Sequence, residues 1–201
     1  MDVLRTPDHR FSGLPDWPYE PHYTEVPDGD GGTLRVHHAE DGPADGPTVL
    51  LLHGEPTWGY LYRKMMPALA EEGIRSLVPD QVGFGRSDKP ADRGDYSYQR
   101  HVDWMQGWLD ATGTERLFFF GQDWGGLIGL RLVATDPERF AGLVVSNTGL
   151  PDGSGKPNDA FMAWQRFSQT AEEFPIGRII TGGCLSELPP DVIDAYDAPF
   201  P

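Results

Sequence analysis

Four short apolar runs, TVLLLH (48–53), IRSLVP (74–79), LFFF (117–120) and LVVS (143–146), recur along the chain with gaps wide enough for helices. Each is too short for a stable helix and nearly free of polar alternation, the pattern of strands buried on both faces of a mostly parallel sheet. The gaps read as helices. YLYRKMMPALAEEG (60–73) sets Met65 and Leu69 four residues apart and stops at Gly73, residues 97–112 carry Val102, Met105 and Leu109 on one helical face, and 124–135 follow LFFF directly. Strand and helix therefore alternate, and the expected fold is an α/β body: a doubly wound sheet with right-handed crossovers.

Before the first run lies a Pro-rich lead-in, followed by HYTEV (22–26) and TLRVHHAE (33–40) around the turn PDGDGG, an antiparallel hairpin by its spacing. After the last run the composition changes at LPDGSGKPND (150–159), and residues 160–197 hold FMAWQRFSQT, GRIITGGCL and PPDVIDAY without a strand signal. Pro189 and Pro190 suit a helix start. The expected division is a body over 1–149 and an incomplete helical cap over 150–201. At 201 residues the chain suffices for one α/β body with such an appendage, and its 25 glycines and 19 prolines stay below a low-complexity share.

The charge balance excludes some partners. A net charge of −15 disfavours nucleic acid and anionic membranes, both of which need a basic surface, and otherwise describes a solvated exterior. Cys184 is the single cysteine, so a disulfide framework and a thiolate metal cluster are not expected. MDVLRTPDHR lacks the apolar core of a leader and no run reaches the ~18 apolar residues of a membrane span, so a cytoplasmic protein is expected. No metal, nucleotide or flavin is implied: HGE is not HExxH, and GFGRSD lacks the spacing of a phosphate loop, reading instead as a turn in which Asp88 pairs locally.

The segment most directly suited to chemistry is LFFFGQDWGG (117–126), a buried strand, then Gly-Gln-Asp-Trp-Gly-Gly, then a helix. This is the form of a nucleophile elbow with Asp123 at the nucleophile position, Gly121 and Gly125 allowing close approach and Gly126 aiding helix packing. A helix N-terminus behind Asp123 favours an anion, and a carboxylate needs no base to attack. The plain alternative is an Asp that caps the helix. HGEPT (53–57), after the strand TVLLL, stands where a hydrolase of this form supplies a backbone N–H to an oxyanion, here that of Glu55, with the N–H of Trp124 as the second donor. His53 is expected to be a hydrogen-bonded structural residue.

Taken in order, HGEPTWGYLYRKMMP, PDQVGFGRSDKP, GQDWGG and AWQRF closely resemble the haloalkane dehalogenases of the α/β-hydrolase fold, in particular those with Glu after His-Gly and two halide-binding tryptophans. The resemblance runs from about residue 20 to the C-terminus. It implies a hydrolase that detoxifies small haloalkanes with water, releasing alcohol and halide, in which Asp123 displaces halide from carbon and is left as an alkyl ester. Trp124 and Trp164 are the implied halide donors, since indole is a donor only, on a large apolar body. Phe161, one turn before Trp164, and Leu127, after the Gly pair, are the implied pocket walls.

The resemblance also implies a carboxylate and a His base that follow the cap, and His9, His22, His37, His38, His53 and His101 all precede Asp123. The chain is thus expected to be truncated within the cap, with the strand at 143–146 an exposed apolar edge. Two other readings stand beside this one. An epoxide hydrolase would share the elbow but needs cap tyrosines, of which the cap portion holds only Tyr196, and an inert fragment would show neither activity.

Overall fold

In the computed structural model, which describes residues 1–200, eight strands and six α-helices follow one another along the chain. They are β1 (Val3–Leu4), β2 (His22–Pro27), β3 (Thr33–Asp41), β4 (Thr48–Leu52), α1 (Met65–Glu71), β5 (Arg75–Pro79), β6 (Lys89–Pro90), α2 (Tyr98–Thr112), β7 (Leu117–Gln122), α3 (Trp124–Thr135), β8 (Phe140–Ser146), α4 (Asp159–Thr170), α5 (Ile176–Gly182) and α6 (Pro190–Asp197). The main sheet has the order β2-β3-β5-β4-β7-β8. Its β5, β4, β7 and β8 are parallel, while β2 and β3 form the antiparallel hairpin and β3 joins β5 antiparallel. β1 and β6 make a separate two-residue antiparallel pair that the sequence did not announce.

The continuous apolar runs are explained by two separate cores. Leu50 and Leu52 of β4 point into a cluster with Leu77, Phe119, Ile128 and the Val102–Met105–Leu109 face of α2, whereas Val49 and Leu51 point the other way, toward Val78, Trp58, Tyr60, Tyr62 and Met66. Every residue of β4 is buried, and from Val49 to Leu52 both of its faces are apolar. At about 25 cal/mol per Å² of apolar area, this two-sided burial supplies the main cohesion of the body.

Helix boundaries follow local chemistry. Ser97 caps α2 by accepting the Arg100 N–H at 3.2 Å, and the helix ends on Gly113 with φ 65°, a left-handed conformation that strains any residue with a Cβ. Gly113→Ala should therefore lower stability by about 1 kcal/mol, a shift readable in the urea midpoint. The helix expected over 60–73 is shorter than its pattern suggested: Gly59–Tyr62 is a 3-10 turn, and α1 begins only at Met65. Pro67 accounts for this, because a residue without an N–H fits only where the first turn leaves that donor unused.

The Pro-rich lead-in contributes more than a tail. Phe11 and Trp17 are buried against Trp58 and the α6 residues Val192, Ala195 and Tyr196, and Thr6 donates to the Pro199 carbonyl at 2.6 Å. Asp88 does not pair locally: it receives the Arg5 guanidinium at 2.5 and 2.9 Å and the Arg35 N–H at 2.9 Å, tying the lead-in to the body. At the far side of the sheet β8 is an edge strand, as expected, with Leu143, Val144 and Val145 exposed. No helix among the described residues is long and apolar enough to cross a membrane.

Candidate active site

β7 ends at Gln122 and α3 starts at Trp124, which leaves Asp123 alone between them with φ 55° and ψ −126°. A non-glycine residue in this region costs about 1–3 kcal/mol, and here the cost is met by anchoring. The Asp123 N–H donates to the Asn147 carbonyl at 3.2 Å, and the Asp123 carbonyl accepts from Thr148 Oγ1 at 2.7 Å and the Gly126 N–H at 3.0 Å. Asn147 and Thr148 stand just past β8, brought to the elbow by the parallel register that sets Gln122 beside Ser146. The side chain makes no capping bond, so the plain helix-cap reading does not hold. Glycine is needed on both sides: a Cβ on Gly125 would sit 2.0 Å from the Leu52 carbonyl oxygen, and one on Gly54 would sit 2.4 Å from the Asp123 Cβ.

The loop after β4 meets the elbow. The Glu55 N–H donates to Asp123 Oδ1 at 2.9 Å, the first of the two expected oxyanion donors. The second, the Trp124 N–H, makes no bond to the carboxylate; it occupies the first position of α3, where the helix itself provides no acceptor. His53 holds this loop in place. The Gln81 N–H donates to His53 Nε2 at 3.0 Å, which fixes the ring proton on Nδ1, 3.1 Å from the Gly54 carbonyl. Burial lowers the basicity of His53, opposed by the charges of Asp80 and Asp123, so its role is the structural one expected from the sequence.

Glu55 and Trp124, the neighbours of the Asp123 carboxylate, line a cavity of about 920 Å³. Trp164 and Phe161 of α4 also line it, as do Tyr98 and His101 of α2 and Ile128 of α3. The Trp124 ring leans on Tyr98 at 6.1 Å, and Trp164 is steadied by Phe167 and Phe174 at 5.8 and 5.9 Å. Both indoles act on the Glu55 carboxyl: burial and then the charge of Asp123 push that carboxyl up, and the two indole N–H groups pull it back. His101 is held low, at about 4, by burial and by His53, which makes it a neutral imidazole in the cavity wall.

The structure thus gathers Asp123, Glu55, Trp124, Trp164 and Phe161, but not Leu127. One residue along α3 is about 100° around the helix, and Ile128, one turn after Trp124, takes the wall position while Leu127 presents its carbonyl to the Tyr98 hydroxyl at 2.8 Å. Tyr196 is not in the cavity wall either: it is buried against Tyr60, its hydroxyl accepting from Arg63 Nη1 at 3.1 Å. Asn147, Thr148, Gln81 and Tyr98 carry no signal in the sequence, since each matters through a contact distant along the chain, and His101, excluded as a base by chain order, lines the cavity.

The chain matches the alpha/beta hydrolase fold family over residues 47–183. It is 54% identical over all 201 residues to a haloalkane dehalogenase of Psychrobacter cryohalolentis, covering 66% of that protein, and 48% identical to one of Mycobacterium marinum, covering 68%. A solved structure, the tetrameric haloalkane dehalogenase DpaA of Paraglaciecola agarilytica, superposes with a TM-score of 0.92 at 36% identity, covering all of this chain and 67% of that one. The chain spans about two thirds of the length of these relatives. With its elbow, its Glu55 loop and its order of strands, it belongs to the haloalkane dehalogenase family of the α/β-hydrolase fold.

Proposed function

We propose that this protein acts on small haloalkanes, with Asp123 as the nucleophile that breaks the carbon–halogen bond. The observation that carries the proposal is the hydrogen bond from the Glu55 N–H to Asp123 Oδ1, which leaves Oδ2 as the attacking oxygen. A lone pair of Oδ2 forms a new C–O bond as the C–X bond breaks, and the halide departs with that bonding pair. Trp124 and Trp164 are the donors offered to the departing anion, in a cavity whose wall is otherwise mainly apolar. Residues 150–201, with α4 to α6, act as the cap that carries Trp164 and Phe161.

Hydrolysis of the resulting ester is assigned to no histidine, since all six precede Asp123. The reading extends to a detoxifying role, because consuming a haloalkane removes an alkylating agent, and to a reducing, cytoplasmic setting, supported by the lone free Cys184. Epoxide opening is disfavoured by the position of Tyr196, turned away onto Arg63.

Incubation with a short bromoalkane and, separately, a short terminal epoxide tests this. Bromide release of at least one equivalent per chain without diol is expected; diol without bromide would overturn the assignment. Trp164→Phe should weaken bromide binding about 10- to 100-fold, the worth of one hydrogen bond to a charged group, as read by quenching of the remaining tryptophans. Unchanged affinity would remove Trp164 from the halide site.

A further inference from the structure

The halide donors already face an anion that belongs to the protein. Glu55 reaches the cavity from the loop after β4, its N–H committed to Asp123, and it lines that cavity together with Trp124 and Trp164, whose indoles lower the proton affinity of its carboxyl. Indole has one N–H and no acceptor, so each ring can satisfy one anion at a time. We propose that the Glu55 carboxylate and halide compete for the same two indole N–H groups, so that halide binding requires Glu55 to take up one proton from solvent. This rests on the assignment of Trp124 and Trp164 as the halide donors.

The surroundings leave little other relief for a second negative charge. Asp123 faces Glu55 from the elbow and is itself a carboxylate. His53 in the adjacent loop and His101 on α2 are imidazoles whose basicity burial depresses, so neither supplies a cation. Tyr96 and Tyr98 on the wall are phenols that burial pushes up and keeps neutral. Arg93 is a cation on the cavity lining, but it is exposed to solvent, which screens its charge, and it donates to the Gln169 carbonyl. A halide placed between the indoles therefore meets Glu55 and Asp123 as like charges, and protonating Glu55 removes the repulsion that lies closest to the donors. Burial and Asp123 both favour that neutral form.

The sign of the linkage is fixed. Because the bound state holds one more proton, the apparent bromide dissociation constant should rise with pH, by up to roughly tenfold per unit above the pKa of Glu55 in the free protein. Bromide titrations of the protein and of Glu55→Gln, followed by tryptophan fluorescence from about pH 5 to about pH 9, would be combined with proton uptake in weakly buffered solution. The protein is expected to take up close to one proton per bromide at the alkaline end, and Glu55→Gln to bind bromide with a flat pH profile and no uptake. Binding without uptake in the protein, or an unchanged slope in Glu55→Gln, would overturn the competition while leaving the halide site intact. Absence of bromide binding at every pH in both would instead overturn the halide site and the competition with it. The uptake measured on the unsubstituted protein decides the matter alone if the variant does not fold.

Discussion

Asp123→Asn is expected to abolish halide release from a bromoalkane, lowering the rate by about four orders of magnitude or more. The amide keeps an oxygen to accept the Glu55 N–H, and nothing in the elbow backbone depends on the carboxylate: its anchors are the Asn147 carbonyl, the Thr148 hydroxyl and the Gly126 N–H. Folding should therefore survive while the nucleophile is lost. Release at an unchanged rate would place the attacking group elsewhere, the exposed thiol of Cys184 being the first to examine.

The largest effect on stability is expected at a second, fully buried carboxylate. Asp80, fully buried just past β5, accepts from the Gly59 N–H and the Arg86 N–H at 2.8 Å each, and lies 2.7 Å from His37 Nδ1. Those bonds hold the 3-10 turn at 59–62, the GFGRSD turn and strand β3 together at one point. Asp80→Ala strips all three donors of their acceptor in a dry site and should cost about 3–5 kcal/mol, seen as a large fall in the urea midpoint. Burial opposes the ionised form of Asp80, but His37, His53 and the Arg86 N–H outweigh it and hold its carboxyl down to about 2, from an ordinary 3.8. Since the folded value is the lower one, the contribution is complete above about pH 4 and fades as the pH falls toward 2. The substitution should accordingly flatten the acid limb of the stability curve.

What the sequence shows best is what neighbouring residues decide. The four apolar runs became β4, β5, β7 and β8 because a strand buried on both faces needs no information beyond its own composition. Asp123 was legible for the same reason: strand, glycines, carboxylate and helix are contiguous. The order of the two loops in this fold marks the Glu55 N–H as an expected oxyanion donor, and that N–H lies 2.9 Å from Asp123 Oδ1.

Failures came where a distant partner decides the outcome. Leu127 was read as a pocket wall from its place after the glycines, whereas the pitch of α3 gives that wall to Ile128. Asn147 and Thr148 support the elbow only because β7 and β8 pair in one particular register. Phe11 and Trp17 look like part of an irregular tail until Trp58 and α6 cover them. Asp88 carries no local sign that its partner is Arg5, 83 residues away along the chain. The helical pattern over 60–73 overruns the helix for a different reason: apolar spacing continues through the 3-10 turn at 59–62, while Pro67 confines the α-helix to Met65 onward.

The central claim, that Asp123 attacks carbon, is tested most directly by trapping the ester. The protein would be mixed with a bromoalkane, quenched in acid during the reaction and digested, and the peptides weighed. One alkyl group per chain on the peptide that contains Asp123, absent from Asp123→Asn, is the predicted result. Alkylation confined to the exposed Cys184, with the Asp123 peptide unmodified, would contradict it.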